Sequence, residues 1–207
     1  MTIDASAGAV TINVAEDVEP GSLTILGTYN VNIKGDGKIG GACKLIKKGS
    51  GTLTIANVNN YTGGTLIQEG TVKISSIADL QNDGALGAYS PDEAKIVIET
   101  GARLWGLSNI TNPNAIVLGD SSIIYTAGSW NQQAALSGGK LVKQGNGAMS
   151  FETTPTAKIV EIQAGTFNTN STVNNCLGDS VILRGGTLHF DDSSSSYGTQ
   201  KSPWIVP

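Results

Sequence analysis

Cysteine is nearly absent: two residues in 207, Cys43 and Cys176, cannot supply the disulfide framework of a small secreted fold. With one histidine, His189, and two thiols so far apart, there is no zinc-ligand spacing either. Hard-cation motifs are missing as well, since neither an EF-hand spacing nor a G-G-x-G-x-D run occurs. No cofactor is expected. Charge is sparse: Lys plus Arg number 13, Asp plus Glu 17, and the net charge of −4 is spread along the chain. A surface that tracks phosphates needs clustered basic residues, so nucleic acid and anionic membrane are not expected partners. No uncharged apolar run approaches the roughly 20 residues of a membrane helix, so no direct membrane insertion is expected of this segment. Sustained i, i+3, i+4, i+7 spacing is lacking, and only Ser75–Ala94 is compatible with a helical turn.

Glycine and β-branched residues fill the space left. Gly accounts for 27 positions, about 13% against a usual 7% or so. Ile, Val and Thr together number 53, about a quarter of the chain, and favour strands. Strand signals bounded by Gly, Asn, Asp or Ser recur about every ten residues. They cover Val10–Val14, Leu23–Leu26, Val31–Lys34, Lys44–Lys47, Thr52–Ile55, Thr65–Gln68, Thr71–Ile74, Lys95–Glu99 and Ala102–Trp105. Further on come Ala115–Leu118, Ser122–Thr126, Lys140–Lys143, Ala148–Phe151, Lys158–Ile162, Thr166–Asn168, Ser180–Leu183 and Gly186–Phe190. Alternation such as Thr52-Leu53-Thr54-Ile55 is the period of a half-buried strand. An all-β fold follows, with two candidate architectures: a parallel β-solenoid or an antiparallel sandwich.

Internal repetition favours the solenoid. The run from Lys44 to Ile55 returns from Lys140 to Phe151, at a constant offset of 96. Ile67-Gln68-Glu69-Gly70-Thr71-Val72 is answered by Ile162-Gln163-Ala164-Gly165-Thr166-Phe167, and Val97-Ile98 by Val181-Ile182, at shrinking offsets. Strands persist while the loops between them shorten, as in stacked arrays. One solenoid domain over 1–207 is therefore expected, built from two degenerate units at about 23–104 and 116–190. Leu53, Ile55, Val72 and Ile74 should point inward, with Leu141, Phe151, Ile162 and Leu188 as counterparts.

The stretch K-L-I-K-K-G-S-G-T-L-T-I-A-N-V-N-N-Y-T-G-G-T-L-I-Q-E-G-T-V-K-I resembles the autotransporter-associated β-strand repeat, also called the passenger-associated transport repeat. Leu45, Lys47, Gly49, Gly51, Thr52, Leu53, Asn59, Tyr61, Gly63, Thr65 and Gly70 carry the likeness. A second copy keeps Leu141, Lys143, Gly145 and Gly147 but replaces the Tyr-Thr-Gly-Gly segment with Thr153-Thr154-Pro155-Thr156. The resemblance implies a single-stranded right-handed parallel β-helix. It also implies a structural or adhesive scaffold in a bacterial exported or cell-surface protein, extracellular and without catalysis, and a fragment of a larger polypeptide with further domains. Glycans or other host and cell-surface components are the partners it suggests.

Candidate chemistry is thin. Gly35-Asp36-Gly37-Lys38-Ile39-Gly40 satisfies G-x-G-x-x-G, but no helix pattern follows and no carboxylate stands about 20 positions on, so a β-turn is expected. A polysaccharide lyase or hydrolase is the enzyme class most compatible with a β-helix, and His189-Phe190-Asp191-Asp192 is its nearest candidate. Adjacent strand positions would send Asp191 and Asp192 to opposite faces. Exposed aromatic faces can stack on sugars, which makes Trp105, Trp130, Tyr89 and Tyr125 candidate carbohydrate contacts. Cys43 and Cys176 occupy non-equivalent repeat positions and should not be bridged. Met1 is followed by no apolar signal segment, and the chain stops at the apolar run Ser202-Pro203-Trp204-Ile205-Val206-Pro207. Both features suggest an array cut at its ends.

Overall fold

Alternating β-branched and small polar residues make short strands, and the Gly and Asn between them let the chain turn. In the computed structural model, which describes residues 1–74, 84–89, 96–170 and 179–191, twenty strands form and no helix is present among the described residues. Strand pairs with strand in parallel throughout, each with the element one turn later: Thr2 with Thr24, Leu45 with Thr65, Ile116 with Leu136, Phe167 with Leu188. A sandwich would pair successive strands as hairpins, so that alternative falls. The chain is a β-solenoid of about eight turns.

Three sides make up the turns. The first side stacks β1 (Thr2–Asp4), β3 (Ser22–Leu26), β5 (Lys44–Lys47), β7 (Thr65–Ile67), β9 (Ile96–Ile98) and β12 (Ile116–Leu118). The second stacks β2 (Val10–Asn13), β4 (Val31–Lys34), β6 (Thr52–Ile55), β8 (Thr71–Ile74), β10 (Arg103–Gly106) and β13 (Ser122–Thr126). Two longer strands, β15 (Leu136–Gln144) and β17 (Thr156–Ile162), run through the corner between these sides and join them into one 15-stranded sheet, which ends on β19 (Ser180–Leu183). The third side is a five-stranded sheet of β11 (Ile110–Asn112), β14 (Trp130–Gln132), β16 (Ala148–Phe151), β18 (Thr166–Asn170) and β20 (Thr187–Asp191). β1, β11 and β14 have no counterpart among the strands read from the sequence.

Inward rows hold the solenoid together. Leu23, Leu45, Thr65, Ile96, Ile116 and Leu136 stack in register along the first side, all buried. Val31, Leu53, Val72, Leu104 and Ile124 do the same along the second. Each fully buried aliphatic side chain stabilises the fold by roughly 1.5–3 kcal/mol relative to exposure. Ile55, Ile74, Leu141, Phe151 and Ile162 are buried as the alternation requires, whereas Leu188 is only partly buried against the core.

Where the third side has no ladder, side-chain amides replace it. Asn59 Oδ1 accepts the Ile39 amide (2.9 Å) while its Nδ2 donates to the Ala85 carbonyl (3.2 Å), and Asn57 Nδ2 donates to Gly37 O (3.0 Å). On β11 and β14, where the third side does have a ladder, inward amides still bond one another and the next corner: Asn112 Nδ2 donates to Gln132 Oε1 (2.8 Å), and Gln132 Nε2 to Asn114 O (2.8 Å). These buried amides satisfy backbone groups that would otherwise be orphaned at irregular corners.

The register also revises the meaning of the repeat. Leu45 stacks on Thr65, Ile96, Ile116 and Leu136, all on the first side. Leu141, 96 positions after Leu45, pairs instead with Ser122 and Val160 on the second side. The two copies are therefore not whole turns apart. The first forms the corner between sides one and two, the second the corner between sides two and three.

Candidate functional site

The repeat residues assemble one structural unit. Alternation turns Lys47 and Lys143 inward, where lysine is rarely found. Lys47 pairs with Ile25 and Ile67, and Lys143 with Ile124 and Ile162, so each aliphatic stem fills a place in an aliphatic row. Exposure falls to 1% and 0%. Each ammonium bends into its corner. Lys47 Nζ donates to the carbonyls of Lys48 (3.0 Å) and Gly49 in its own turn and of Glu69 (3.3 Å) in the next. Lys143 Nζ does the same with Gln144 (3.2 Å), Gly145 (2.9 Å) and Ala164 (3.0 Å). Burial pulls both ammonium groups below the ordinary lysine range, Lys143 to about 8.

Glycine makes the clamp fit. Gly70, one turn after Lys47, has φ +74°, and a Cβ there would come within 2.9 Å of Lys47 Nζ and 2.5 Å of the Gly49 and Gly51 carbonyls. Gly165 stands in the same relation to Lys143, with φ +71° and 2.8 Å to Nζ. Gly49 and Gly145 make the left-handed bend itself, and Gly51 and Gly147 lie against the carbonyls of the preceding turn. Tyr61 is buried with its hydroxyl 2.7 Å from Thr65 Oγ1, and burial pushes its phenol up. Gly63 packs on the Cys43 carbonyl. The buried motif residues thus face inward and the motif glycines turn corners, while Thr52 is partly exposed on the outward face of β6.

The aromatic candidates separate. Trp105 and Tyr125 come together on the outer face of the second side, with ring centroids 4.7 Å apart, and Lys73 Nζ lies 4.6 Å from the Trp105 centroid. Lys73, Trp105 and Tyr125 form one outward row over three turns, continued by Gln144. Trp105 spends its ring on Lys73 and Tyr125, and Tyr125 packs on Gly145. Tyr89 stands apart, 42% exposed. Trp130 is corrected: at 1% exposure, with its indole N–H donating to Gln132 Oε1 (3.2 Å), it belongs to the core, because its strand turns it inward against Gly106.

One outer group escapes a reading of motifs. Glu161 lies on the second side with its carboxylate 3.1 Å from Lys140 Nζ and 3.4 Å from Arg184 Nε, and it accepts from Gln163 Nε2 at 2.7 Å. The Gln163 hydrogen bond first, then Lys140 and Arg184, hold its carboxyl below the usual range. Its signal was the i, i+2 outward spacing of Glu161, on β17, and Gln163, just past the end of that strand.

The remaining candidates fall as follows. Gly35–Gly40 is a turn leading into a bridge from Val18 to Ile39, and no helix follows it. His189 is exposed on β20 beside Asn168; Asp191 pairs with Asn170, and Asp192 lies outside the described residues. Cys43 is a buried free thiol, and Cys176 is outside the described residues, as is the run from 192 to 207.

Comparison with known proteins agrees with the corner geometry. Residues 45–74 match the family model of the passenger-associated-transport-repeat. The chain is 32% identical over 187 aligned positions to "Adhesin BmaC autotransporter" of Brucella suis biovar 1 (strain 1330), covering 79% of this chain and 5% of the relative. It thus spans about a twentieth of the length of that curated protein. No solved structure matches. Lysine clamp, glycine corners and buried Tyr61 account for the matched residues in physical terms, and the chain is a parallel β-solenoid that carries the passenger-associated transport repeat.

Proposed function

We propose that the chain is a non-catalytic scaffold segment of a longer adhesive passenger, held outside a bacterial cell. The supporting observation is the continuity of the parallel ladder from β1 to β19, locked at two corners by buried lysine clamps. Such a stack is stiff and extends by adding turns, which suits a spacer that carries binding surfaces away from a cell. The similarity to an adhesin autotransporter supports the same reading.

Antibody labelling of intact bacteria that make the full-length protein tests the location: the segment should be accessible without lysis, and labelling only after lysis would contradict the proposal. A glycan array tests the competing reading, a carbohydrate-binding or polysaccharide-active β-helix. Selective binding lost in Trp105→Ala or Tyr89→Ala, or chain cleavage of a bound polysaccharide, would replace the scaffold with that reading.

A further inference from the structure

The sequence holds a single Asn-Gly pair, Asn146-Gly147, and the fold places it at the corner between β15 and β16. Asn146 is exposed, while Gly145 before it is buried and Gly147 after it partly so. Such a pair carries its own chemistry. The Gly147 backbone nitrogen, once its proton passes to solvent, can attack Asn146 Cγ. The bond from Cγ to the side-chain nitrogen breaks, ammonia leaves with a proton taken from water, and a five-membered succinimide remains. Water then opens the ring at either carbonyl, giving aspartate or isoaspartate. Glycine at the second position allows the attack because no side chain crowds the nitrogen, and asparagine is a thermolabile residue.

The closed corner ties down the groups this reaction needs. Gly147 N–H donates to Thr126 O of the preceding turn (2.9 Å), and Gly147 O accepts from Thr166 N of the following turn (3.3 Å) and from Thr126 Oγ1 (3.3 Å). On the other side of Asn146, the Gly145 carbonyl holds the Lys143 ammonium (2.9 Å). Attack on Cγ requires the Gly147 nitrogen to leave Thr126 and turn toward the side chain. We propose that Asn146 is a deamidation site that the closed corner protects and an open chain exposes, so that a chain left unfolded acquires a mark it cannot lose. Isoaspartate adds one carbon to the backbone between residues 146 and 147. There is no room for it, since even a Cβ on Gly147 would collide with the Gly128 carbonyl. The first copy of the repeat has no such liability: Ser50 stands in the corresponding place, and Gly51 N donates to Gly27 O (3.2 Å) across the same kind of bend.

Peptide mapping by mass spectrometry on the 207-residue chain, at one pH and temperature, tests the proposal by following conversion of Asn146 in native buffer and in guanidinium chloride. Conversion should be at least about tenfold slower in the native chain, because only molecules with that corner open react. Lys143→Met, which releases Gly145, should speed the native conversion and leave the rate in guanidinium unchanged. Asn146→Ser adopts the first copy's residue and cannot deamidate. After equal ageing in guanidinium and return to buffer, isoaspartate-146 chains should be missing from the native fraction of the parent, whereas Asn146→Ser should regain the yield of a fresh sample. Equal rates in buffer and guanidinium overturn the protection, and this comparison rests on the parent alone and needs no refolding. A native rate unmoved by Lys143→Met overturns the lysine's part in it. Isoaspartate-146 chains that enter the native fraction in proportion to their abundance overturn the lasting mark.

Discussion

Gly70 lies under Lys47 with no room between them: a Cβ on the glycine would stand 2.9 Å from the lysine Nζ. Lysine in one turn and glycine in the next are a single clamp, since the ammonium must reach the Glu69 carbonyl past the place where a side chain would be. The same pair recurs as Lys143 and Gly165 at a different corner.

Gly70→Ala and Gly165→Ala should each destabilise by roughly 3 kcal/mol or more, strain and collision together. Gly101→Ala provides the comparison. Its φ is +80° but nothing lies within 4 Å of the added carbon, so it should cost only the backbone strain, roughly 1–2 kcal/mol. Equal losses in urea denaturation would show that the clamp geometry contributes nothing.

Lys143→Met keeps the stem and removes the ammonium, leaving three carbonyls without their donor, at a cost of roughly 2–4 kcal/mol at neutral pH. The pH dependence has a definite sign. The folded lysine releases its proton near pH 8 and the unfolded one near 10.4, so the unfolded state binds more protons in between. The contribution of Lys143 should therefore raise parent stability with pH from about 8 to about 10.5, a rise the Lys143→Met chain lacks. A parallel pH course for both chains in that window would contradict the buried ammonium.

Glu161 acts at the other limb. Its folded carboxyl is held below its unfolded value, so the stability it supplies is complete above the ordinary carboxylate range and is lost as pH falls through the folded value. Glu161→Gln should flatten that part of the acid-unfolding curve while leaving the alkaline limb unchanged. An unaltered acid limb would mean that Gln163, Lys140 and Arg184 do not hold the carboxylate in solution.

Two tryptophans should separate core from surface. Trp130→Ala empties a fully buried site and leaves Gln132 short of a partner, costing roughly 3–5 kcal/mol. Trp105→Ala removes an outer row contact with Lys73 and Tyr125 and should cost roughly 1–2 kcal/mol. The reverse order in thermal melts would put Trp130 on the surface.

Much of this architecture was legible in the sequence because alternation and turn residues act locally. Thr52–Ile55 and Thr71–Ile74 form the strands their pattern requires, and the sandwich rival failed only once pairing partners were known. β11 and β14 escaped notice because Asn112 and Gln132 are polar residues facing inward, where an amide repairs a corner and the hydrophobic alternation breaks. Trp130 escaped for the same reason. The 96-residue offset does not mark whole turns, because sequence similarity follows the corner motif, whereas stacking follows turns, and one turn is longer than its neighbours between Thr65 and Ile96. Lysine within L-x-K was the available clue to the clamp: two residues after an inward leucine, the side chain must also point in.

Distance measurement along one row tests the solenoid most directly. Thr24, Val117 and Ser137 occupy the same outward row, four and five turns apart for the pairs Thr24/Val117 and Thr24/Ser137. Spin labels on cysteines at those pairs, with Cys43 and Cys176 replaced by alanine, should report backbone separations of about 19 and 24 Å by pulsed electron resonance, after allowance for the label arms. An increment of about one strand spacing between the pairs is the predicted result. Separations that fail to grow from Val117 to Ser137 would contradict the parallel stack.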